Sequence, residues 1–376
     1  MELIDSENRL RHLVNDWQAC EWIAIDTEFM RYQTYYPILC LIQAHSKFGT
    51  VGIDTLSIKN LNVLGRLFEC ETTTLILHAC FQDLEALARR GNFMFNGLFD
   101  TQIAAAFCGY SESVGYSSIV NDLCGVVIDK DQTRSDWSKR PLTSRQLDYA
   151  RNDVIYLDQI HNTLESEMEQ SGKIEWFGQE CKEVAKQSVL TVKPEDVWHQ
   201  FSSLEVPDSA RNIARELVIW RERLAQKWDR PRGWVLSNQT VIELCFRRPK
   251  KINQLWNIPS LSKGNIKKFG HVLIEIVRKH GANFSNQDNA SRVLLDQKFK
   301  KDVKEAKKMV RSIAREYAIS DGLLGSRKDI ELFLRGEPRS RLMKGWRYEL
   351  IGSAMEERFG RRVSKATIIT GQPLSK

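Results

Sequence analysis

The stretch Trp22-Ile23-Ala24-Ile25-Asp26-Thr27-Glu28-Phe29 decides the fold and points to the chemistry. Its β-branched and aromatic residues read as a strand. Side chains at i and i+2 of a strand share a face, so Asp26 and Glu28 project together beside an apolar run that would be buried. Two neighbouring carboxylates repel each other and lose hydration, which a core strand tolerates only with a compensating cation. A divalent ion that takes oxygen ligands, Mg²⁺ or Mn²⁺, would supply it. A strand end fraying into solvent, with both acids hydrated, accounts for the pair alone equally well.

Outward from this strand, residues 38–45 and 49–53 are further β-rich runs, and 74–78 is a short apolar one. Helical spacing covers 58–68, 81–90 and 101–107. Residues 109–141 are polar and rich in Gly and Ser, with a helical piece near 117–123. One long helix is expected from Thr143 to about Met168, opened by a capping box of Thr143 and Gln146. Strands first, helices later and a strand–helix–strand crossover predict a mixed α/β sheet domain ending near residue 200. After about Val206 strand signals nearly vanish. Residues 224–228 resemble 313–317, Ile-Glu-Leu at 242–244 recurs at 330–332, and Val235-Leu236 lines up with Leu323-Leu324. These near-constant offsets predict two related helical bundles divided at residues 283–290. The expected domains are therefore 1–205, 206–288 and 289–376, with a frayed tail from Ser364.

The 376 residues, 42% hydrophobic and 27% charged, fit a globular protein of two or three domains. No segment approaches the ~20 apolar residues of a membrane span. The opening MELIDSENRL shows no basic stretch followed by an apolar one, so no secretory signal is expected and the cytoplasm is the expected location. The eight cysteines never form CxxC and read as reduced core residues, neither disulfides nor a zinc site. The net charge of +7 hides a split: residues 1–200 carry 18 Lys/Arg against 29 Asp/Glu, and residues 201–376 carry 37 against 19. An acidic half suits cations, and a basic half suits a polyanion.

Two more acids and a phenol strengthen the metal reading. Asp83 falls early in the helix after 74–78, where the helix dipole alone would also favour an acid. Tyr149 and Asp153 are i and i+4 on one helical face, so a phenol that orients a water can stand beside a carboxylate that holds an ion.

Asp26-x-Glu28, Asp83 and Tyr149-x3-Asp153 resemble the three exonuclease motifs of the DEDD superfamily of 3′→5′ exonucleases, in its tyrosine-bearing branch. The histidine-bearing branch would have His where Asp148 stands. Longer stretches, at 26–31, 34–43, 99–105, 135–142 and 149–157, are similar to the ribonuclease D family. Residues 210–285 resemble a helicase-and-ribonuclease-D C-terminal (HRDC) domain, and 292–365 a more divergent copy. The resemblance implies an α/β ribonuclease H-like mixed-sheet exonuclease domain followed by two all-α HRDC-type domains.

It also implies two divalent ions, Mg²⁺ or Mn²⁺, and release of nucleoside 5′-monophosphates from RNA 3′ ends. Asp26 would bridge both ions, Glu28 and Asp153 would complete the site of the water-bearing one, and Asp83 would support the other. Tyr149 would orient the attacking water. The expected substrates are tRNA precursors and other structured RNA 3′ ends, acted on by a monomer with no membrane contact. A DNA exonuclease, a hydrolase cutting internally, and a binding protein that keeps only the fold are the competing readings.

Thr27, Phe29, Met30, Gln43 and Arg140 are candidates for substrate contact, and Asp136 and Trp137 share a loop with Arg140. His78 reads as a satisfied structural histidine, and Asp100 as a helix cap. In the basic half, residues 247–251, Lys263, Lys267, Lys268, the 298–311 run, Arg361 and Arg362 are candidate phosphate contacts. Trp228, Trp234, Trp256 and Trp346 are expected mostly to pack cores.

Overall fold

The computed structural model describes residues 1–129, 132, 135–190, 192–201, 206, 208–281 and 289–360. The expectations for Arg361, Arg362 and the tail from Ser364, and all but the last residues of the 283–290 divide, lie outside them. The chain packs as two units. One comprises residues 1–28, 39–189 and the described part of 288–376; the other comprises 29–38 and the described part of 190–287.

The first unit is built on a six-stranded sheet. Its strands are β1 (Glu2–Ile4), β2 (Trp22–Met30), β3 (Ile38–Ser46), β4 (Gly49–Asp54), β5 (Thr74–Leu77) and β6 (Leu98–Asp100), in the order β1-β4-β3-β2-β5-β6. β1 runs parallel to β4, β2 to β5 and β5 to β6, whereas β3 and β4 are antiparallel. The sheet is therefore mixed, as the strand–helix alternation required. β1 and β6 have three residues each, too few for a period-2 pattern to show. β2 is central, and Ile23, Ala24 and Ile25 are buried in it.

The β2–β5 register runs from Trp22↔Thr74 to Ala24↔Ile76, so Asp26 lies just past the carboxyl end of the paired region. There the chain leaving β5 turns through Ala79, whose φ of 56° is left-handed. Asp100 fixes this turn. Its buried carboxylate accepts from Ala79 N at 3.1 Å and Cys80 N at 2.9 Å, and it also caps the helix Thr101–Phe107 through Gln102 N and Ile103 N. The helix Phe81–Gly91 then starts beside Asp26, with Asp83 in its first turn. His78 has both ring nitrogens engaged, by Thr101 Oγ1 and Val114 O, and so is the satisfied histidine expected.

The single long helix expected from Thr143 is two. The capping box of Thr143 and Gln146 opens Ser144–Asn152, a turn follows, and Leu157–Gln170 resumes. The break coincides with a bond from outside the helix: Tyr116 Oη donates to the Asn152 carbonyl at 2.9 Å, giving an acceptor at the helix end a side-chain partner. Val154 N and Leu157 N bond three residues back. Asp153 becomes the C-terminal cap of the first helix rather than an interior residue.

In the same unit, the described helices after 289 dock on the helix Ile174–Val189. Trp346 stacks on Trp176 at 5.5 Å with an interplanar angle of 13°. Arg347 forks onto Glu180, whose Oε1 also receives Trp346 Nε1 at 3.0 Å. Lys173 Nζ reaches Phe107 O at 2.8 Å and Ala318 O at 3.3 Å, and Ser320 N donates to Ala106 O.

The second unit is a helical bundle around Leu217, Val218, Val241, Leu244, Leu255 and Leu273. The connection between β2 and β3 belongs to it. Tyr35 N and Tyr36 N both donate to Asp229 Oδ1, at 2.9 and 3.0 Å. Tyr35 Oη donates to the buried Glu222, which Arg232 also grips.

The repeat is real in each helical region taken by itself. A long helix ends at Trp228 or Glu316, and a left-handed residue follows, Asp229 (φ 48°) or Ala318 (φ 49°). A four-residue helix comes next, and then a helix capped by Ser237 or Ser326. Leu236 and Leu324 are both buried.

Candidate active site

Asp26, Glu28 and Asp153 each bring one carboxylate oxygen within 4.8 Å of the other two. The pleat of β2 supplies the first two acids, and the helix break sets the third against them. Asp83 lies outside this triad but acts on it: burial first, then the charges of Asp83, Asp153 and Glu28, push Asp26 well above the ordinary carboxylate range. Burial, then Asp153 and Asp83, push Glu28 up to about 9. Burial carries Asp83 and Asp153 up to about 7, opposed by the Thr27 hydroxyl at Asp83 and the Tyr149 phenol at Asp153.

Four desolvated carboxylates, of which Asp83 and Asp153 raise Asp26 and Glu28, call for a positive charge. All the converging donors are oxygens, which suits a hard divalent cation. The triad therefore fits such an ion.

Tyr149 hydrogen-bonds Asp153 and faces Trp137 at 6.1 Å between ring centroids. It also lines a cavity of about 360 Å³ with Asp129, Gln132, Arg145, Asp148 and Asn152. A chain end beside the acids thus has room on the tyrosine side.

Three of the expected substrate contacts have other partners. Thr27 is buried, and its hydroxyl donates to Asp83 Oδ1 at 2.5 Å. Gln43 is fully buried, and its Nε2 donates to Asp26 Oδ2 at 3.0 Å, so it meets an acid of the site rather than solvent.

Arg140 has all five N–H groups engaged. Nε and Nη2 fork onto Asp54 at 2.8 and 2.7 Å, Nη2 also reaches Cys40 O, and Nη1 serves Trp137 O and Lys139 O. No donor remains for a phosphate, so Arg140 fastens the 136–140 loop to the sheet. Trp137 is likewise buried. Phe29 and Met30 continue β2 after Glu28 and are half-buried.

Sequence reasoning missed Asp54 as the partner of Arg140, 86 residues away, and missed Tyr116, which bonds the chain at the Asp153 break. Neither carries a local signal. It also misplaced three tryptophans. Trp346 is buried, but Trp228, Trp234 and Trp256 expose 36%, 55% and 48% of their surface. In the second unit Lys268 Nζ sits 3.9 Å over the Trp228 ring, and Arg230 lies 5.8 Å from that of Trp234. Arg247, Lys250, Lys251, Lys263 and Lys267 are exposed there. In the first unit, the helix Asn289–Glu316 buries Val303, Ala306 and Val310 and turns Lys298, Lys301, Lys304, Lys308 and Arg311 outward. Exposed cations with aromatic faces suit a nucleic acid.

Comparison with known proteins identifies the family. A family model described as 3′-5′ exonuclease matches residues 1–169, one for the HRDC domain matches 210–277, and one for the ribonuclease D C-terminal HRDC domain matches 298–355. The chain is 31% identical to ribonuclease D of Escherichia coli K12 over 94% of its own length and 97% of that protein's. It is 28% identical to ribonuclease D of a Shewanella species over 94% and 93%. The crystal structure of Escherichia coli RNase D, described as an exoribonuclease involved in structured RNA processing, superposes with a TM-score of 0.82 at 30% identity, covering 95% and 97% of the two chains.

Proposed function

The chain belongs to the ribonuclease D family and is a 3′→5′ exoribonuclease with a ribonuclease H-like catalytic domain and HRDC domains, and from that premise we propose how its residues act and on what. It removes nucleoside 5′-monophosphates one at a time from the 3′ ends of structured RNA, tRNA precursors first among them. The observation that carries this reading is the convergence of Asp26, Glu28 and Asp153, with Tyr149 bonded to the last.

Asp26, Glu28 and Asp153 would hold the cations, and Asp83, steadied by Thr27, would add the fourth negative charge. Two divalent ions, Mg²⁺ or Mn²⁺, would supply a water nucleophile at neutral pH and stabilise the leaving 3′-oxygen. Tyr149 orients the attacking water by hydrogen bonding through its phenol. Phe29 and Met30 keep partly open side chains and are assigned to the terminal nucleotide. The basic faces collect the RNA backbone, which makes binding salt-sensitive. We assign the domains to 1–205, 206–288 and 289–376, and the working form to a cytoplasmic monomer.

The test uses a 5′-labelled, 3′-extended tRNA and a matched DNA strand, each incubated with Mg²⁺ or Mn²⁺, or with a chelator. A ladder shortening from the RNA 3′ end, absent in Asp26→Ala and in chelator, is the expected result. Preferential DNA shortening would replace RNA with DNA as the substrate. Binding without shortening of either strand would remove the catalytic assignment.

A further inference from the structure

Gln43 stands in the middle of β3, opposite Gly52 of β4, among Leu41, Ile42 and Ala44, and none of its surface is exposed. A buried amide is costly unless both its ends are hydrogen-bonded. Only one end is met: Nε2 donates to Asp26 Oδ2, whereas Oε1 is buried with no partner. For packing alone, a leucine or methionine would fill the position without an unmet acceptor. The amide is thus explained by its donor.

The position needs a donor that is neutral. A lysine there would also hold Asp26, but its charge would compete with a cation for the carboxylate. An amide fixes the carboxylate's rotation while leaving its full negative charge available. With a cation on Asp26 it also has one stable orientation, because turning it over would set Oε1 against the ionised acid.

We propose that Gln43 is a positioning residue that holds Asp26 Oδ2 so that the other carboxylate oxygen meets the divalent ion; this rests on the reading of Asp26 as a cation ligand. Groups that orient a metal-binding side chain typically change affinity by about 10- to 100-fold when removed.

The test measures Mn²⁺ binding to the RNA-free protein, from the free-ion signal in electron paramagnetic resonance, for the wild type, Gln43→Leu, Gln43→Met and Asp26→Asn. In parallel, kcat and KM are measured on RNA across Mn²⁺ concentrations. The expected result is about a 10-fold or greater loss of Mn²⁺ affinity in Gln43→Leu, with KM for RNA unchanged and kcat partly restored at high Mn²⁺. Gln43→Met has nearly the volume of the native residue, and it carries the test should the leucine variant fail to fold. Wild-type Mn²⁺ binding in a folded Gln43 variant would overturn the proposal, as would a rise in KM alone. Wild-type Mn²⁺ binding in Asp26→Asn would instead overturn the assignment of Asp26, whatever Gln43 does.

Discussion

Thr27 gives its hydroxyl hydrogen to Asp83 Oδ1 across 2.5 Å, joining the first acidic motif to the second over 56 residues of sequence. The bond is buried and charge-assisted, a class worth roughly 1.5–3 kcal/mol. It holds Asp83 in a place where burial alone would favour the protonated form. Thr27→Val keeps the shape and removes the donor. The expected outcome is a drop in kcat of about 10- to 100-fold with little change in KM for RNA. Thr27→Ser should recover most of the rate, and steady-state kinetics on a 3′-labelled oligonucleotide decide the matter.

Arg140 and Asp54 invite a different measurement. Removing one partner of a buried, forked pair leaves the other unpaired, at a cost of about 3–5 kcal/mol. Arg140→Ala should therefore lower the urea midpoint markedly. Arg140→Lys, which keeps the charge but not the fork, should fall between it and the wild type. A lysine variant with native stability but weakened RNA binding would return Arg140 to the substrate.

The Arg347–Glu180 pair gives a pH dependence with a defined sign. Burial pushes Glu180 up, but the Arg347 bonds and charge outweigh it and hold the carboxyl below its usual range. Burial likewise lowers Arg347, so the pair's net gain is smaller than its geometry suggests. A depressed folded-state value means that the stabilisation is complete above the unfolded value of ~4.3 and is lost as pH falls through the folded one. Trp176 and Trp346, stacked beside the pair, report on this docking by fluorescence. On acidification their signal should change below about pH 4 in the wild type, and Glu180→Gln should show the changed signal already at neutral pH.

Glu28→Gln separates stability from activity. In metal-free protein Glu28 is raised to about 9 by burial and by Asp153 and Asp83. A raised value contributes stability that is full below the unfolded ~4.3 and is lost as pH rises through about 9. Glutamine removes that loss, so chelated Glu28→Gln should melt several degrees above chelated wild type near pH 8, and the gap should narrow near pH 5. Its nuclease activity should fall by about 10³-fold or more, the usual trade between a strained site and a relaxed one. A chelated variant no more stable than the wild type would show that the acids do not repel as their spacing requires.

What was legible in the sequence was whatever depends on short spacing. The pleat placed Asp26 beside Glu28, the capping box marked the helix start at Thr143, and an 89-residue echo gave two similar helical regions whose turns repeat at Asp229 and Ala318. What stayed hidden needed partners far away in the chain. Nothing near Asn152 announces that Tyr116 will occupy its carbonyl at the helix end. Nothing near Thr27, Gln43 or Arg140 tells that each already has an acidic partner, at Asp83, Asp26 and Asp54. Polar side chains close to a catalytic motif read as substrate contacts until the fold supplies their neighbours. Trp234 and Trp256 misled for the opposite reason, because an aromatic in a helical pattern looks like core until its exposure is known.

The passage of the chain from one unit to the other inside β2, between Glu28 and Phe29, bears on how such a protein can change over evolutionary time. The ten residues 29–38 take their hydrogen-bond acceptors from Asp229 and Glu222, far along the sequence. A deletion confined to 190–287 would strand the Tyr35 phenol and the amides of Tyr35 and Tyr36, in a segment that begins one residue after Glu28. The helical unit therefore cannot be shed like a bead from a string. A lineage that lost it would have to rewrite the β2–β3 connection in the same step, and one that swapped it would have to supply acceptors for the same tyrosine.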